Sequence, residues 1–204
     1  MRDLYVVISS TPNRIGHFIR RITGQPYNHA SISFDPDLKT MFTFARSYYR
    51  TPFYGGFVIE TPSRYCINGV NATIEVYRIA IPEDNYQTLK SHIDSMCHNQ
   101  KKYLYNHLAA LVFPLGIRIP AKDAFVCVEF CVDSLHKAGI DVDPTKHYSL
   151  KEIQKLLQPH LTFTGPMPQD GNFDSVYFSK KPLPHPVYAT MRSFGALLPR
   201  IGKK

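Results

Sequence analysis

A cysteine and a histidine that suit nucleophilic catalysis lie far apart in the chain. Cys127 falls near the start of residues 124–140, whose apolar residues recur at the spacing of one amphipathic helix. A thiol at a helix N-terminus lies beside unpaired backbone N–H groups and the positive end of the helix dipole, which favour the nucleophilic thiolate. His29 begins residues 29–34, which alternate as a strand does. If folding joins the two, they have the chemistry of a nucleophile and its general base.

Each residue also has a structural interpretation. Most free cysteines are buried side chains without a chemical role, and a single histidine is more often a hydrogen-bonded core or surface residue. A metal site built from Cys97, His98, Cys127 and Cys131 is a further alternative. The adjacent Cys97 and His98 point apart, however, and no Cys-x-x-Cys spacing supports zinc. We predict no metal and no cofactor, so the case for catalysis depends on bringing Cys127 and His29 together.

The surrounding segments predict the elements that must position these residues. Residues 4–9 are typical of a buried strand, and residues 14–22 of an amphipathic helix that ends at Gly24. The strand of His29 and a second one at residues 41–45 are predicted to form an antiparallel hairpin. Further strands are predicted at 57–60, 72–79 and 161–165, and further helices at 82–96 and 149–157.

Length and composition indicate a single globular domain. The chain has 204 residues, of which 44% are hydrophobic and 13% aromatic, and this is ample for a packed core. We predict a catalytic domain over residues 1–179. Residues 180–204 are basic, contain several prolines and have no acidic residue, so we expect a loosely attached extension there.

The net charge of +8 raises the question of an anionic partner. The basic residues are dispersed, apart from Arg14, Arg20, Arg21 and the C-terminal end, and no zinc finger, RNA-recognition motif or basic zipper is present. We therefore expect no nucleic-acid partner. The N-terminal apolar run is too short for a signal peptide, no window reaches transmembrane length, and the four cysteines lack disulfide-scaffold spacing. We expect a cytoplasmic protein with reduced thiols.

Two short motifs carry a resemblance to a known superfamily. The segment Phe-Val-Cys-Val-Glu-Phe at residues 125–130 resembles the nucleophile helix of the NlpC-type papain-like superfamily, usually seen as Phe-x-Cys-Ser-Glu-Phe. The segment Asn-His-Ala-Ser-Ile-Ser at residues 28–33 resembles its histidine strand. Here the cysteine follows the histidine, which is the order of the circularly permuted papain-like amidases and peptidases. The resemblance implies an α+β fold with a small antiparallel sheet and the nucleophile helix packed against it.

The resemblance also implies roles for individual residues. Cys127 matches the nucleophile and His29 the general base. The third residue, which orients the histidine, is expected on the next strand, and sliding the hairpin through its turn places Thr43 there. Thr43 departs from the Glu, Asn, Gln or His common in the family, so the third residue can also lie elsewhere. Val128 departs from the usual Ser.

Three further residues are assigned to the substrate side of the site. Tyr105 matches a tyrosine that helps to form the oxyanion site in related enzymes. Tyr27 precedes the histidine by two residues, and Ser31 lies on the same face of the strand as the histidine. Both are expected to contact substrate.

The functional prediction is a cysteine hydrolase that acts on an amide, peptide or ester through a thioester intermediate, or an acyltransferase with the same intermediate. Its partner is then a small-molecule or peptide or acyl substrate. The alternative is a catalytically weak or inactive papain-like binding module that associates with an anionic partner or a membrane surface. The weak third residue and the basic tail, with Met191 and Phe194 among arginines, favour that alternative. The oligomeric state cannot be read from the sequence.

Overall fold

The computed structural model describes residues 1–51, 53–180 and 185–203. In this part of the chain, helices pack against a sheet of eight strands that is antiparallel except between its last two strands. In spatial order the strands are β10 (Leu161–Pro166), β7 (Thr73–Ile81), β1 (Arg2–Ser10), β2 (His29–Ser33), β3 (Met41–Arg46), β4 (Gly55–Glu60), β8 (Leu104–Tyr105) and β9 (Ala124–Phe125). A separate hairpin consists of β5 (Cys66–Ile67) and β6 (Val70–Asn71). The predicted α+β class with an antiparallel sheet is confirmed, although the sheet is larger than expected.

β1 lies inside the sheet and buries both of its faces. Leu4, Val6 and Ile8 belong to the larger core cluster, whereas Val7 belongs to a smaller cluster. Successive side chains of a strand point to opposite faces, so one apolar run fills two cores. β1 pairs antiparallel with β2 and β7, and this places the strand that carries the histidine in the middle of the sheet.

The helices of the described residues are α1 (Arg14–Thr23), α2 (Glu83–His98), α3 (His107–Val112), α4 (Cys127–Lys137), α5 (Leu150–Leu157), α6 (Ser175–Phe178) and α7 (His185–Leu197). Of these, α1, α2, α4 and α5 lie where the periodicity predicted them, and the other three were not predicted. The predicted apolar stripe of α2 is fully inside the core: Tyr86, Leu89, Ile93 and Met96. Within the described ranges, none of the helices combines the length and the apolar composition that crossing a membrane requires.

α4 packs against β2 and β3 and begins three residues later than the sequence pattern suggested. Ala124 and Phe125 form the short strand β9, and Val126 is extended, so the helix starts at Cys127 itself. Phe130 and Leu135 point into the core and are almost completely buried. The late start puts the thiol at the first helical position, where the backbone N–H groups have no acceptor within the helix.

The C-terminal segment does not behave as the loosely attached extension that we expected. In α7, Leu197 is completely buried and the Phe194 ring stacks on His107 with centroids 5.5 Å apart. After α7, Arg200 donates to the carbonyl oxygen of Lys102 at 2.6 Å. Residues 181–184 and Lys204 of the predicted extension lie outside the described residues.

Candidate active site

A buried histidine–carboxylate pair forms the centre of the site. His29 is the first residue of β2 and Glu60 the last of β4, and β3 lies between these strands. The Nε2 atom of His29 lies 3.0 Å from Oε2 of Glu60. The side chains are 11% and 8% exposed, so the pair is shielded from water and from salt. This geometry makes Glu60 the partner that orients the imidazole ring.

The Glu60 carboxylate is held by a second layer of hydroxyl groups. Tyr65 donates its phenolic proton to Oε2 of Glu60 at 2.6 Å, and the Ser31 hydroxyl lies 3.0 Å from the Tyr65 oxygen. Burial, followed by the Glu60 charge, raises the pKa of Tyr65 well above its usual value, so the phenol remains a donor. A fixed carboxylate restricts the ring that it contacts.

The electrostatics of this pair favour charge on both partners. Burial alone would lower the pKa of His29, but the Glu60 carboxylate and a hydrogen bond to Cys127 raise it to about 10. Burial would raise the pKa of Glu60, but the His29 charge, the hydrogen bonds from His29 and Tyr65 and the Arg64 charge together outweigh it, so the pKa lies below the ordinary value. At neutral pH the pair is therefore an imidazolium bound to a carboxylate.

Cys127 also interacts with the His29 ring, and this interaction contributes to the raised pKa of His29. Since Nε2 faces Glu60, Nδ1 is the ring nitrogen left for the thiol. The cysteine is 8% exposed and still lines the cleft described below. The structure thus brings together the two residues that the sequence singled out.

The N-terminus of α4 is fixed by Glu129 in its first turn. The Glu129 carboxylate accepts from the Val126 N–H at 3.0 Å and lies 3.3 Å from Nε of Arg118. Burial raises the pKa of Glu129, and both contacts oppose that rise. This half of a capping box holds the helix entrance, and with it the Cys127 backbone, in one conformation.

Tyr105 is placed near the start of α4 by the parallel pairing of β8 with β9. Tyr105 lies opposite Phe125 in that ladder, two residues before Cys127. Burial, followed by the charge of Cys127, raises the pKa of Tyr105, so its phenol is a neutral donor. Asn106 supports the turn, because its side chain accepts from Ala109 N–H and donates to the carbonyl oxygen of Ile119.

His29, Glu60, Tyr105 and Cys127 line one cleft of about 530 Å³. That volume lies within the usual range of small-molecule sites. Much of the remaining wall is apolar and comes from α1, from α3 and the single turn after it, and from the loop after β3: Ile15, Phe18, Ile19, Ile22, Phe53, Ala110, Leu111 and Pro114. Phe18 is 63% exposed, so the apolar face of α1 opens to the cleft mouth instead of entering the core.

Asn28, the residue before the histidine, anchors α1 beside the site. Its side-chain oxygen accepts from the Thr11 N–H at 2.9 Å and from Arg20 at 2.7 Å, and its amide donates to the Thr11 hydroxyl. Gly16 makes this approach possible, because a Cβ there would lie 2.5 Å from the Thr11 carbonyl oxygen. The position of α1 relative to His29 is thus set by a few short contacts.

Three of the residues expected in the site lie elsewhere or act indirectly. Thr43 is completely buried and donates its hydroxyl to the carbonyl oxygen of Ala30 at 2.7 Å, so it is not the partner of the imidazole. Tyr27 belongs to the core cluster and hydrogen-bonds to Glu75, and it does not line the cleft. Ser31 is buried behind Tyr65 and supports Glu60 instead of contacting the cleft.

Sequence reasoning missed Glu60 and several other cleft residues. The available signal for Glu60 was a lone acidic residue at the end of an otherwise apolar strand, a position where burial requires a charged partner. His107 also lines the cleft, and burial lowers its pKa to about 4, so the ring is neutral at physiological pH. Arg46 and Arg64 line it as well.

The other cysteines do not join the site. Cys131 lies one turn after Cys127, and burial raises the pKa of its thiol to about 12. All four cysteines are free. In the part of the chain that the structure describes, no three His, Cys, Asp or Glu side chains are grouped so that they could hold a metal ion.

No protein-family model matches the sequence, and neither a curated protein nor a solved structure matches it.

Proposed function

We propose that the chain is a cysteine hydrolase that cleaves an amide or ester through a thioester on Cys127. The observation that carries the proposal is the buried arrangement of three side chains. Glu60 contacts Nε2 of His29, and His29 interacts with the Cys127 thiol, which lies at a helix N-terminus and lines the same cleft. A nucleophile, a base and a residue that orients the base are the groups that covalent acyl transfer requires.

The first half of the reaction forms the thioester. In the reactive form of the site, the Cys127 proton is already on the His29 ring, and the Glu60 carboxylate stabilises this imidazolium. The sulfur then attacks the carbonyl carbon of the substrate to give a tetrahedral intermediate. When this intermediate collapses, the carbon–nitrogen or carbon–oxygen bond breaks, and the proton on Nδ1 passes to the departing amine or alcohol.

The second half releases the acyl group. His29 takes a proton from a water molecule, whose oxygen attacks the thioester carbonyl. The carbon–sulfur bond breaks, the carboxylic acid leaves, and the proton that His29 took from water restores its imidazolium beside the freed Cys127 sulfur. An amine or alcohol in place of water would make the same intermediate serve an acyltransferase.

The oxyanion of each tetrahedral intermediate needs donors that are already in place. The Cys127 backbone N–H at the start of α4 is one, since it has no acceptor within the helix. The Tyr105 phenol is proposed as the second, because burial keeps it protonated and it lies close enough to Cys127 to sense its charge.

The same arrangement supports kinship with the circularly permuted papain-like enzymes. The cysteine begins a helix packed on the sheet, the histidine begins a strand, and the polar third residue ends a neighbouring strand. A glutamate as third residue agrees with the family pattern better than Thr43 does. Kinship remains a proposal that rests on these three positions and on the two motifs.

Alkylation rates test the proposed pair directly. We expect iodoacetamide to label Cys127 faster than Cys66, Cys97 or Cys131, and the His29→Ala variant to lose about tenfold or more of that rate. Mass spectrometry of tryptic peptides over a pH series measures all four rates in one sample. Cys97 is the internal control, because it is half-buried and does not line the cleft that holds His29. Equal rates at Cys127 and Cys66 in the wild type would refute the pairing.

A second candidate function, lipid-surface association without catalysis, is favoured by α1. Its apolar Phe18 and Ile22 are exposed, and the helix carries basic residues without an acidic one. We expect the Phe18→Ser variant to bind vesicles of mixed anionic phospholipid about tenfold more weakly than the wild type. Val70→Ser, which removes an apolar side chain that is 58% exposed outside the cleft, is the matched control in a sedimentation assay. Equal loss in both variants would contradict a specific role of α1.

A further inference from the structure

Two arginines line the cleft together with Cys127 and His29. Arg46 ends β3, and Arg64 lies in the single turn that follows β4 and Glu60. Both guanidinium groups stand over the ring of Tyr177 in α6, at 5.8 Å and 4.5 Å from its centroid. Three distant segments of the chain thus bring two positive charges to the wall of the proposed active site.

Each of these arginines has one buried nitrogen without a hydrogen-bond partner. Arg46 donates from Nε to the Tyr177 hydroxyl at 3.1 Å and from Nη1 to the Tyr49 carbonyl oxygen at 2.8 Å, while Nη2 has no partner in the described residues. Arg64 donates from Nε to Asp174 at 2.7 Å, while Nη1 has none. A buried N–H group without an acceptor is costly, and native proteins rarely leave one unless a ligand, an ion or water completes it.

The positive charges of Arg46 and Arg64 are also only partly balanced by nearby carboxylates. Asp174 contacts Arg64, and the nearby Glu60 carboxylate is already shared by His29 and Tyr65. Within the described residues, Arg46 has no carboxylate within ion-pair distance. The positive charge of Arg46 on the cleft wall is therefore not balanced by a carboxylate that contacts it in the described residues.

We propose that Arg46 and Arg64 form a subsite for an anionic group of the substrate, a carboxylate or a phosphate. The planar guanidinium fork matches both groups, and an anion would supply the acceptors that Nη2 of Arg46 and Nη1 of Arg64 lack. This inference rests on the proposed hydrolase function and adds a substrate class to it. The scissile carbonyl would then belong to an acidic acyl compound instead of a neutral one.

The experiment compares two activated esters that differ in one charge, 4-nitrophenyl hydrogen glutarate and 4-nitrophenyl pentanoate. We expect the wild type to prefer the anionic ester by about tenfold or more in kcat/KM, chiefly through KM. Arg46→Gln is expected to lower that ratio about tenfold, and Arg46→Lys is expected to lower it less because the charge is kept. Arg78→Gln removes the same charge from an exposed position on β7 outside the cleft and should leave the ratio unchanged.

A binding measurement separates failure of this inference from failure of the proposed function. Calorimetric titration of Cys127→Ala protein with glutarate and with inorganic phosphate requires no catalysis, and the stronger of the two identifies the preferred anion. Binding that Arg46→Gln weakens supports the subsite even if neither ester is cleaved. The inference is wrong if the wild type shows no charge preference and neither anion binds. It is also wrong if Arg46→Gln lowers the rates of both esters equally, because this marks a structural role only.

Discussion

Replacing Cys127 by alanine is expected to lower kcat/KM for activated esters by roughly a thousandfold or more, with the fold intact. The thiol is the only atom in the proposed scheme that forms a bond to the substrate carbon, so its loss removes the covalent route. The remaining cleft can bind substrate and polarise its carbonyl, which leaves the small residual rate typical of such variants. Initial rates with 4-nitrophenyl esters and circular dichroism of the same samples measure both quantities.

Cys131→Ala is the matched control for this prediction. It removes a thiol from the same helix, one turn later, where the side chain is completely buried and not exposed to the cleft. We expect its rate to stay within about threefold of the wild type, although some packing is lost. A Cys127→Ala variant that retains a tenth or more of the activity would place the nucleophile elsewhere and overturn the proposed mechanism.

Local periodicity explains why much of the fold was predictable. β1 is a continuous apolar run because it buries both of its faces, and the apolar residues of α2 recur every three to four residues because that helix buries one face. Each pattern is visible within a short segment of the sequence. Cys127 and His29 were found for a related reason, since each is the first residue of such an element. The type of an element is easier to predict from the sequence than the side chains that lie beside it in the fold.

The partner of the histidine could not be read in this way. Thr43 was predicted by assuming that the next strand along the chain supplies it, but the imidazole reaches across β3 to Glu60 on β4. Nothing local to Glu60 encodes the strand order or the register that joins it to His29. A single residue has no periodicity, and its role depends on contacts 31 positions away in the chain.

The packing of the basic C-terminal segment also could not be predicted from local sequence. Its prolines and lack of acidic residues are typical of a loose tail, yet Phe194 and Leu197 pack against the domain. The arginine pair at the cleft is equally nonlocal, because Tyr177 lies in a helix of only four residues. In each case the stabilising contact is between distant segments, and composition is a poor guide to it.

Replacing Glu60 by glutamine is expected to lower kcat/KM by about 10- to 100-fold at neutral pH. Glutamine keeps the shape and an acceptor oxygen, but it lacks the charge that stabilises the imidazolium of His29. With Glu60 present, the pKa of His29 is raised to about 10 despite burial, so the imidazolium persists into alkaline solution. Without it the alkaline limb of the pH–rate profile moves to lower pH. Profiles of kcat/KM for both proteins measure this shift.

Glu60→Gln is also expected to lower the free energy of unfolding by an amount that depends on pH. The pKa of His29 is above its ordinary 6.5, so its contribution is complete below about pH 6.5 and fades as the pH rises towards 10. The pKa of Glu60 is below its ordinary 4.5, so its contribution is present above about pH 4.5 and is lost in acid. The free energy of unfolding of Glu60→Gln should therefore fall furthest below that of the wild type between these limits. Urea titrations should find a difference of roughly 3 kcal/mol there and a smaller one near pH 10.

Thr43→Val is the control that distinguishes an orienting charge from a structural hydroxyl. It removes one buried hydrogen bond, to the Ala30 carbonyl oxygen, and keeps the side-chain shape. We expect a stability loss of about 1 kcal/mol at every pH, with the rate within about threefold and the alkaline limb unmoved. If Thr43→Val moved the limb and Glu60→Gln did not, the hydroxyl would be the orienting group after all. Because only the carboxylate carries charge towards His29, the pH at which each variant loses activity separates the two roles.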